Sequence, residues 1–215
     1  MNSEIPAVAN TRDMKDALRL ETLTICWMLI EASASIGAGL VAGSVLLLAF
    51  GVDSVIELIS AGILFHRLRK EASGTADVDA IEALENRASR IAGYLLYALA
   101  AYVVFQSGYG VLHRHMAETS GVGLAVALVA ALGMPVLARA KIRVAERIGS
   151  KALRADAMET FTCGFLSWIL LAGLAANAML HWWWLDSMAA LVLVPFLVKE
   201  GREAIKGGCG CGDAL

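Results

Sequence analysis

Six runs of predominantly apolar residues divide this chain, and nearly all of its charge falls between them. A helix needs ~20 such residues to cross ~30 Å of hydrocarbon. The runs lie at about residues 22–42, 44–66, 89–112, 121–139, 157–180 and 184–200. Inside a bilayer each backbone group must be satisfied within the protein, so runs of this length fold as helices. The expected fold is therefore all-α: a bundle of six transmembrane helices. The 215-residue chain is 58% hydrophobic, above the ~45–50% usual in soluble domains. Six spans leave room for one membrane domain (22–200), a polar N-terminal segment (1–21) and a short Gly/Cys-rich tail (201–215). The N-terminus does not read as a cleavable signal. Glu4, Arg12, Asp13, Lys15, Asp16, Arg19 and Glu21 precede the first apolar run, and that run is long enough to stay as a span. A net charge of −2 gives no pointer to nucleic acid.

Lysine and arginine set the expected orientation, because cytoplasmic loops collect them. Arg12, Lys15 and Arg19 precede span one. Arg67, Arg69, Lys70, Arg87 and Arg90 lie in a charged loop between spans two and three. Arg139, Lys141, Arg143, Arg147, Lys151 and Arg154 form a basic stretch between spans four and five, and Lys199, Arg202 and Lys206 follow span six. Of the 18 basic residues, only Arg114 falls on the opposite side. Both termini are therefore expected in the cytoplasm, which an even number of spans requires. Trp182, Trp183 and Trp184 stand where an interfacial aromatic anchor belongs, at the outer start of span six.

Acids inside the spans are the features that need a reason. On insertion scales a charged side chain at mid-membrane costs roughly 2.5–3.5 kcal/mol. Span one nevertheless holds Glu31, span two holds Asp53 and Glu57, and span five begins with Asp156 and Glu159. Asp53 and Glu57 are four apart, so they share one helix face. Glu159 and Cys163 repeat that spacing on span five. Two helices that each offer such a pair could enclose a four-ligand site, a number that suits a tetrahedral ion such as zinc. A thiolate tilts the choice toward zinc or cadmium over magnesium or calcium. Plainer roles stay open: a lone acid can be a packing contact, and a cysteine in a span is commonly a small apolar filler.

The segment Ala49-Phe50-Gly51-Val52-Asp53-Ser54-Val55-Ile56-Glu57 resembles span two of the cation diffusion facilitator, or cation efflux, family. Leu153-Arg154-Ala155-Asp156-Ala157-Met158-Glu159-Thr160-Phe161-Thr162-Cys163 resembles its span five, and Leu185-Asp186 before span six also fits. The resemblance implies a metal site of Asp53, Glu57, Glu159 and Cys163. Glu31, Asp156 and Asp186 become accessory ligands or members of a proton path. The chain differs from the family pattern in carrying no histidine at these positions, and Phe50 stands where an aspartate is usual. It is similar to a short branch that lacks the C-terminal cytoplasmic domain, with Trp27 and Glu31 in span one. A homodimer is implied by the resemblance alone.

These readings converge on an exporter of a divalent transition metal from the cytoplasm, in a bacterial inner membrane. Zinc is the first expectation, with cadmium, cobalt and iron behind it. The metal is cargo, and no permanently bound cofactor is expected. Four ionised ligands around one dication leave excess negative charge in a low dielectric, so metal is expected to exchange against protons by alternating access. Cys209 and Cys211, one residue apart in the tail, could capture a soft metal. His113 and His115 could form a weak exit site, whereas His66 and His181 are expected at the interfaces. Gly37, Gly39, Gly43, Gly51 and Gly62 are expected to let spans one and two pack closely, and Pro135 to kink span four. Two other classes remain open: a proton-coupled transporter of a small organic cation, and a non-transporting metal-sensing or assembly subunit. No nucleophile–base pair, phosphate loop or histidine cluster suggests an enzyme.

Overall fold

A computed structural model describes residues 11–74, 78–113, 118, 120–180 and 182–206. They form six α-helices: α1 (Thr11–Ala42), α2 (Val45–Ser73), α3 (Val78–His113), α4 (Gly121–Ile148), α5 (Lys151–Leu180) and α6 (Leu185–Ile205). Among the described residues there is no strand. Five of the helices, α1 to α5, are long and apolar enough to cross a membrane, and the chain is an integral membrane protein. The sixth forms as expected but is more polar. Its charge-free stretch runs only from Ser187 to Val198, between Asp186 and the group Lys199, Glu200, Arg202 and Glu203.

The helices outrun the apolar blocks. The charged loop expected at 67–90 is mostly helix, because α2 continues to Ser73 and α3 starts at Val78. The basic stretch at 139–154 is likewise helical apart from a turn at Gly149 and Ser150. Residues 11–21, expected as a flanking segment, form the first turns of α1. Ala, Glu, Lys and Arg fill these stretches, and all are strong helix formers. The extensions also have something to bury. Ala17, Leu64, Leu68, Val144, Ala145 and Leu153 make a second apolar cluster that ties α1, α2, α4 and α5 together beyond the main core.

α1 packs along α2 and against α4, α4 packs along α5, and α3 pairs with α6. α2 touches α3, α5 and α6 and so lies between the two groups. The α1–α2 turn meets the start of α6, whereas the start of α1 meets the end of α4. The helix ends nearest the two termini therefore lie at the same end of the bundle. Close approach depends on a few glycines. A Cβ at Gly51 would lie 2.8 Å from the Ile36 backbone nitrogen of α1, and one at Gly93 of α3 would lie 2.6 Å from the Gly201 carbonyl of α6. The expectation for Gly37 and Gly62 is not met, since a Cβ at either position would touch nothing within 4 Å. Gly43 serves the α1–α2 turn instead, with φ of 63°. Gly51→Ala and Gly93→Ala should each destabilise the bundle by about 1–3 kcal/mol through overpacking. Thermal unfolding in detergent will show this as a lowered midpoint, with Gly37→Ala and Gly62→Ala unchanged or raised. A Gly51→Ala protein as stable as Gly62→Ala would contradict the α1–α2 contact.

Candidate functional site

At the level of Asp53, three helices bring polar groups into the core. Glu31 of α1 is fully buried, Asp53 of α2 is 3% exposed, and Cys163 of α5 is 1% exposed. Glu31 is held on both oxygens. The Trp27 indole N–H donates to Oε2 at 2.6 Å, and the Ser54 hydroxyl donates to Oε1 at 2.7 Å. The Cys163 thiol also points at Oε1, with sulfur to oxygen 3.6 Å. Asp53 accepts no hydrogen bond from any described residue, but it lies within the electrostatic reach of Glu31, Glu159 and Cys163. Phe50, Met134 and Leu166 are buried in the surrounding core. Pro135 of α4 does not end its helix, and its ring sits against Gly164, next to Cys163.

One helical turn toward the termini-bearing end, Glu57 of α2 is half-buried and Glu159 of α5 is exposed. Glu200 of α6 joins them, close enough to Asp53, Glu57 and Glu159 for their charges to interact. The acids thus run in two tiers, from a buried one at Asp53, Glu31 and Cys163 to a more open one at Glu57, Glu159 and Glu200. Among the described residues, no three His, Cys, Asp or Glu side chains converge to ligand distance. The four residues expected to form the metal site share one region between α2 and α5, but they do not enclose an ion in this conformation.

Farther toward the termini-bearing end lies a buried ion triad. Lys141 of α4 is fully buried and donates to Asp156 of α5, and Thr160 stands 3.3 Å from its Nζ. Glu21 of α1, also fully buried, places Oε1 3.0 Å from the same nitrogen, an ion pair without hydrogen-bond alignment. Asp156, expected as an accessory ligand, is thus engaged by Lys141. Farther out, Arg147 pairs with Asp13 at 3.3 Å and reaches Asp16 at 3.8 Å, so α1 and α4 are laced together at two levels.

The family of the cation efflux transmembrane domain matches residues 22–208. The chain belongs to the cation efflux family. No curated protein matches it. The family match runs from within α1 through α6 and covers both i, i+4 pairs and the Lys141 and Asp156 members of the triad, with Glu21 one residue before its start. Members of this family are transporters of metal cations, which places the cation efflux protein among membrane transporters.

The remaining candidates of the cation efflux protein fall elsewhere. Asp186 caps a helix: its Oδ2 accepts from the backbone N–H groups of Val45 at 2.9 Å and Leu46 at 3.4 Å, and its Oδ1 accepts from Ser44 Oγ at 2.5 Å. This carboxylate holds the start of α2 to the start of α6 and stabilises the N-terminal end of the helix dipole. It lies more than two helical turns along α2 from Asp53, about 12 Å by helix rise. His113 stacks on Tyr109, ring centroids 4.0 Å apart, and His66 is exposed on α2. His115, His181, Cys209 and Cys211 lie outside the described residues. Trp182 and Trp184 stack on each other with their centroids 5.3 Å apart and stay partly exposed, as interfacial residues do.

Sequence reasoning missed Lys141, Glu21 and Glu200 as members of this region. Lys141 is the instructive case, because it was counted among the basic loop residues. Yet Ala127, Ala130, Ala131, Met134, Ala138, Lys141 and Ala145 all lie on one stripe at helical spacing, and all are buried. Extending the periodicity of α4 past Arg139 would have placed the ammonium in the core. Removing it leaves two carboxylates buried and unpaired. Lys141→Met should therefore cost about 3–5 kcal/mol, read as a large fall in thermal midpoint. Adding Glu21→Gln and Asp156→Asn to that variant should restore most of the loss. A Lys141→Met protein of wild-type stability would show that the triad does not hold these helices together.

Proposed function

We propose that the protein exports a divalent transition metal from the cytoplasm, zinc or cadmium before cobalt or iron, in exchange for protons. The observation that carries this reading is the buried tier itself. Asp53 is inside the bundle with no hydrogen-bond donor among the described residues, beside a thiol on the facing helix, and all in a chain of the cation efflux family. A buried acid without a partner is costly in a membrane protein, and such residues mark ion pathways. Asp53, Glu57, Glu159 and Cys163 would hold the ion when α2 and α5 close on it. The acid gradient from exposed Glu159 to buried Asp53 supports entry from the termini-bearing end, which is the cytoplasmic end on the lysine and arginine pattern. Ligands bind metal in their deprotonated form, so loading releases protons and unloading takes them up. Coupling follows when the two events face opposite sides of the membrane. A homodimer in the bacterial inner membrane is the setting that the family resemblance favours.

The test is metal tolerance and cytosolic metal content in cells without their own zinc exporters. The wild-type chain should lower zinc or cadmium, and Asp53→Asn at equal membrane expression should abolish the effect. In inverted vesicles, collapsing the pH gradient should stop zinc uptake. Accumulation that ignores the gradient would exclude antiport. No response to any divalent metal would instead point to a proton-coupled carrier of an organic cation on this fold.

A further inference from the structure

We infer that Glu31 of α1 is a metal ligand, and that it forms with Cys163 of α5 one edge of the ion's coordination shell. The inference rests on the transport reading for the identity of the cargo but makes Glu31, expected at most as an accessory, a ligand in its own right, adding a third helix to the four-residue set of α2 and α5. Its basis is a distance. A tetrahedral ion with sulfur at ~2.3 Å and oxygen at ~2.0–2.2 Å holds those two atoms about 3.6 Å apart. Glu31 Oε1 and Cys163 Sγ already stand at 3.6 Å. The Cys163 thiol donates a hydrogen bond to Oε1 along this edge. An ion that takes the place of the thiol proton gains a bond from the sulfur lone pair, and the proton leaves to water.

The carboxylate is also built as ligating carboxylates are. Its other oxygen accepts from Trp27 Nε1 at 2.6 Å, which fixes the plane of the group and leaves Oε1 aimed at the sulfur. Outer hydrogen bonds of this kind orient ligands and raise their affinity. Ser54 reaches Oε1 from α2 at 2.7 Å, so all three helices meet at this atom. Asp53, the residue before Ser54, is buried alongside, and both Asp53 and Glu57 lie within electrostatic reach of Cys163 to complete the shell. Among the described residues, no lysine or arginine is paired with Glu31. A glutamine keeps the shape of the group and one acceptor oxygen, but its NH2 donates where the other oxygen accepted, and the charge that would ligate an ion is gone.

That difference supplies the test. The full-length protein is purified into nanodiscs with Cys26, Cys209 and Cys211 changed to serine, so that Cys163 is the only thiol. Cadmium is titrated while the cadmium–thiolate charge-transfer absorbance and the bound metal are both read. The parent should show one thiolate per bound ion. Glu31→Gln should weaken cadmium binding roughly tenfold or more, with a thermal midpoint lowered only by the loss of one buried hydrogen bond. Glu31→Cys should restore tight binding and about double the absorbance per ion, because both atoms of the edge are then sulfur. Unchanged affinity in Glu31→Gln overturns the inference. So does a Glu31→Cys protein with the absorbance of a single thiolate, which decides the matter even if the glutamine variant fails to fold. Absence of a thiolate band in the parent overturns it as well, whether or not the cells export metal. The expected spectra in a protein that exports nothing would sustain this site and sink the transport reading.

Discussion

Lys141 lies wholly inside the bundle, and its ammonium faces Glu21, Asp156 and Thr160 from three directions. Stripping an ion of water costs several kcal/mol even after relaxation, so the group is tolerable only while its partners stay in place. This makes the triad an all-or-none contact among α1, α4 and α5. The consequence reaches the acid tiers. Asp156 begins the segment of α5 that carries Glu159 and Cys163, so the register of α5 against α4 is fixed just below the site. Pro135 against Gly164 fixes it again just above Cys163. Between these two clamps α5 cannot slide without separating buried opposite charges.

A third clamp lies at the start of α2. Asp186 and Ser44 bind the helix start to α6, and from there Asp53 follows by helix geometry alone. α2 thus enters the site with its upper end tied to α6 and its flank held close against α1 at Gly51. Nothing comparable fixes Glu159, which accepts no hydrogen bond from a described residue. Rigid framing around an unpaired acid tier is the arrangement expected of a place where a charge arrives from outside, because resident partners would compete with it.

How much of this was legible in the sequence depended on which kind of signal carried it. The spans could be read because lipid demands long apolar runs and admits no alternative backbone. The pairs Asp53/Glu57 and Glu159/Cys163 could be read because i, i+4 spacing puts side chains on one face whatever surrounds them. Lys141 could not be read by charge counting, which treats every basic residue near a span end as solvated. It was encoded in the alanine stripe of α4, a periodicity that continues past the hydropathy boundary. Asp186 looked like an ionisable group near a span end, and only the tertiary fold shows that two backbone N–H groups of another helix claim it. Glycines divide in the same way. Gly51 and Gly37 look alike in sequence, yet only Gly51 lies where two backbones meet.

The link between the ion triad and the buried acid tier runs through α1. Glu21 and Glu31 are ten residues apart on that helix, about 15 Å by helix rise, and each is the α1 member of a buried polar contact among helices. A shift of α1 along its axis would therefore strain both contacts together. If the lower contact opens to admit an ion, α1 gains freedom to move the Glu31 carboxylate relative to Cys163. If the ion bridges Glu31 and Cys163, it locks α1 to α5 at the spacing they already hold, and the lower contact is favoured again. Two polar contacts on one helix, separated by apolar packing that does not compress, thus give a physical route by which occupancy of the deep tier and closure of the termini-bearing end can favour each other.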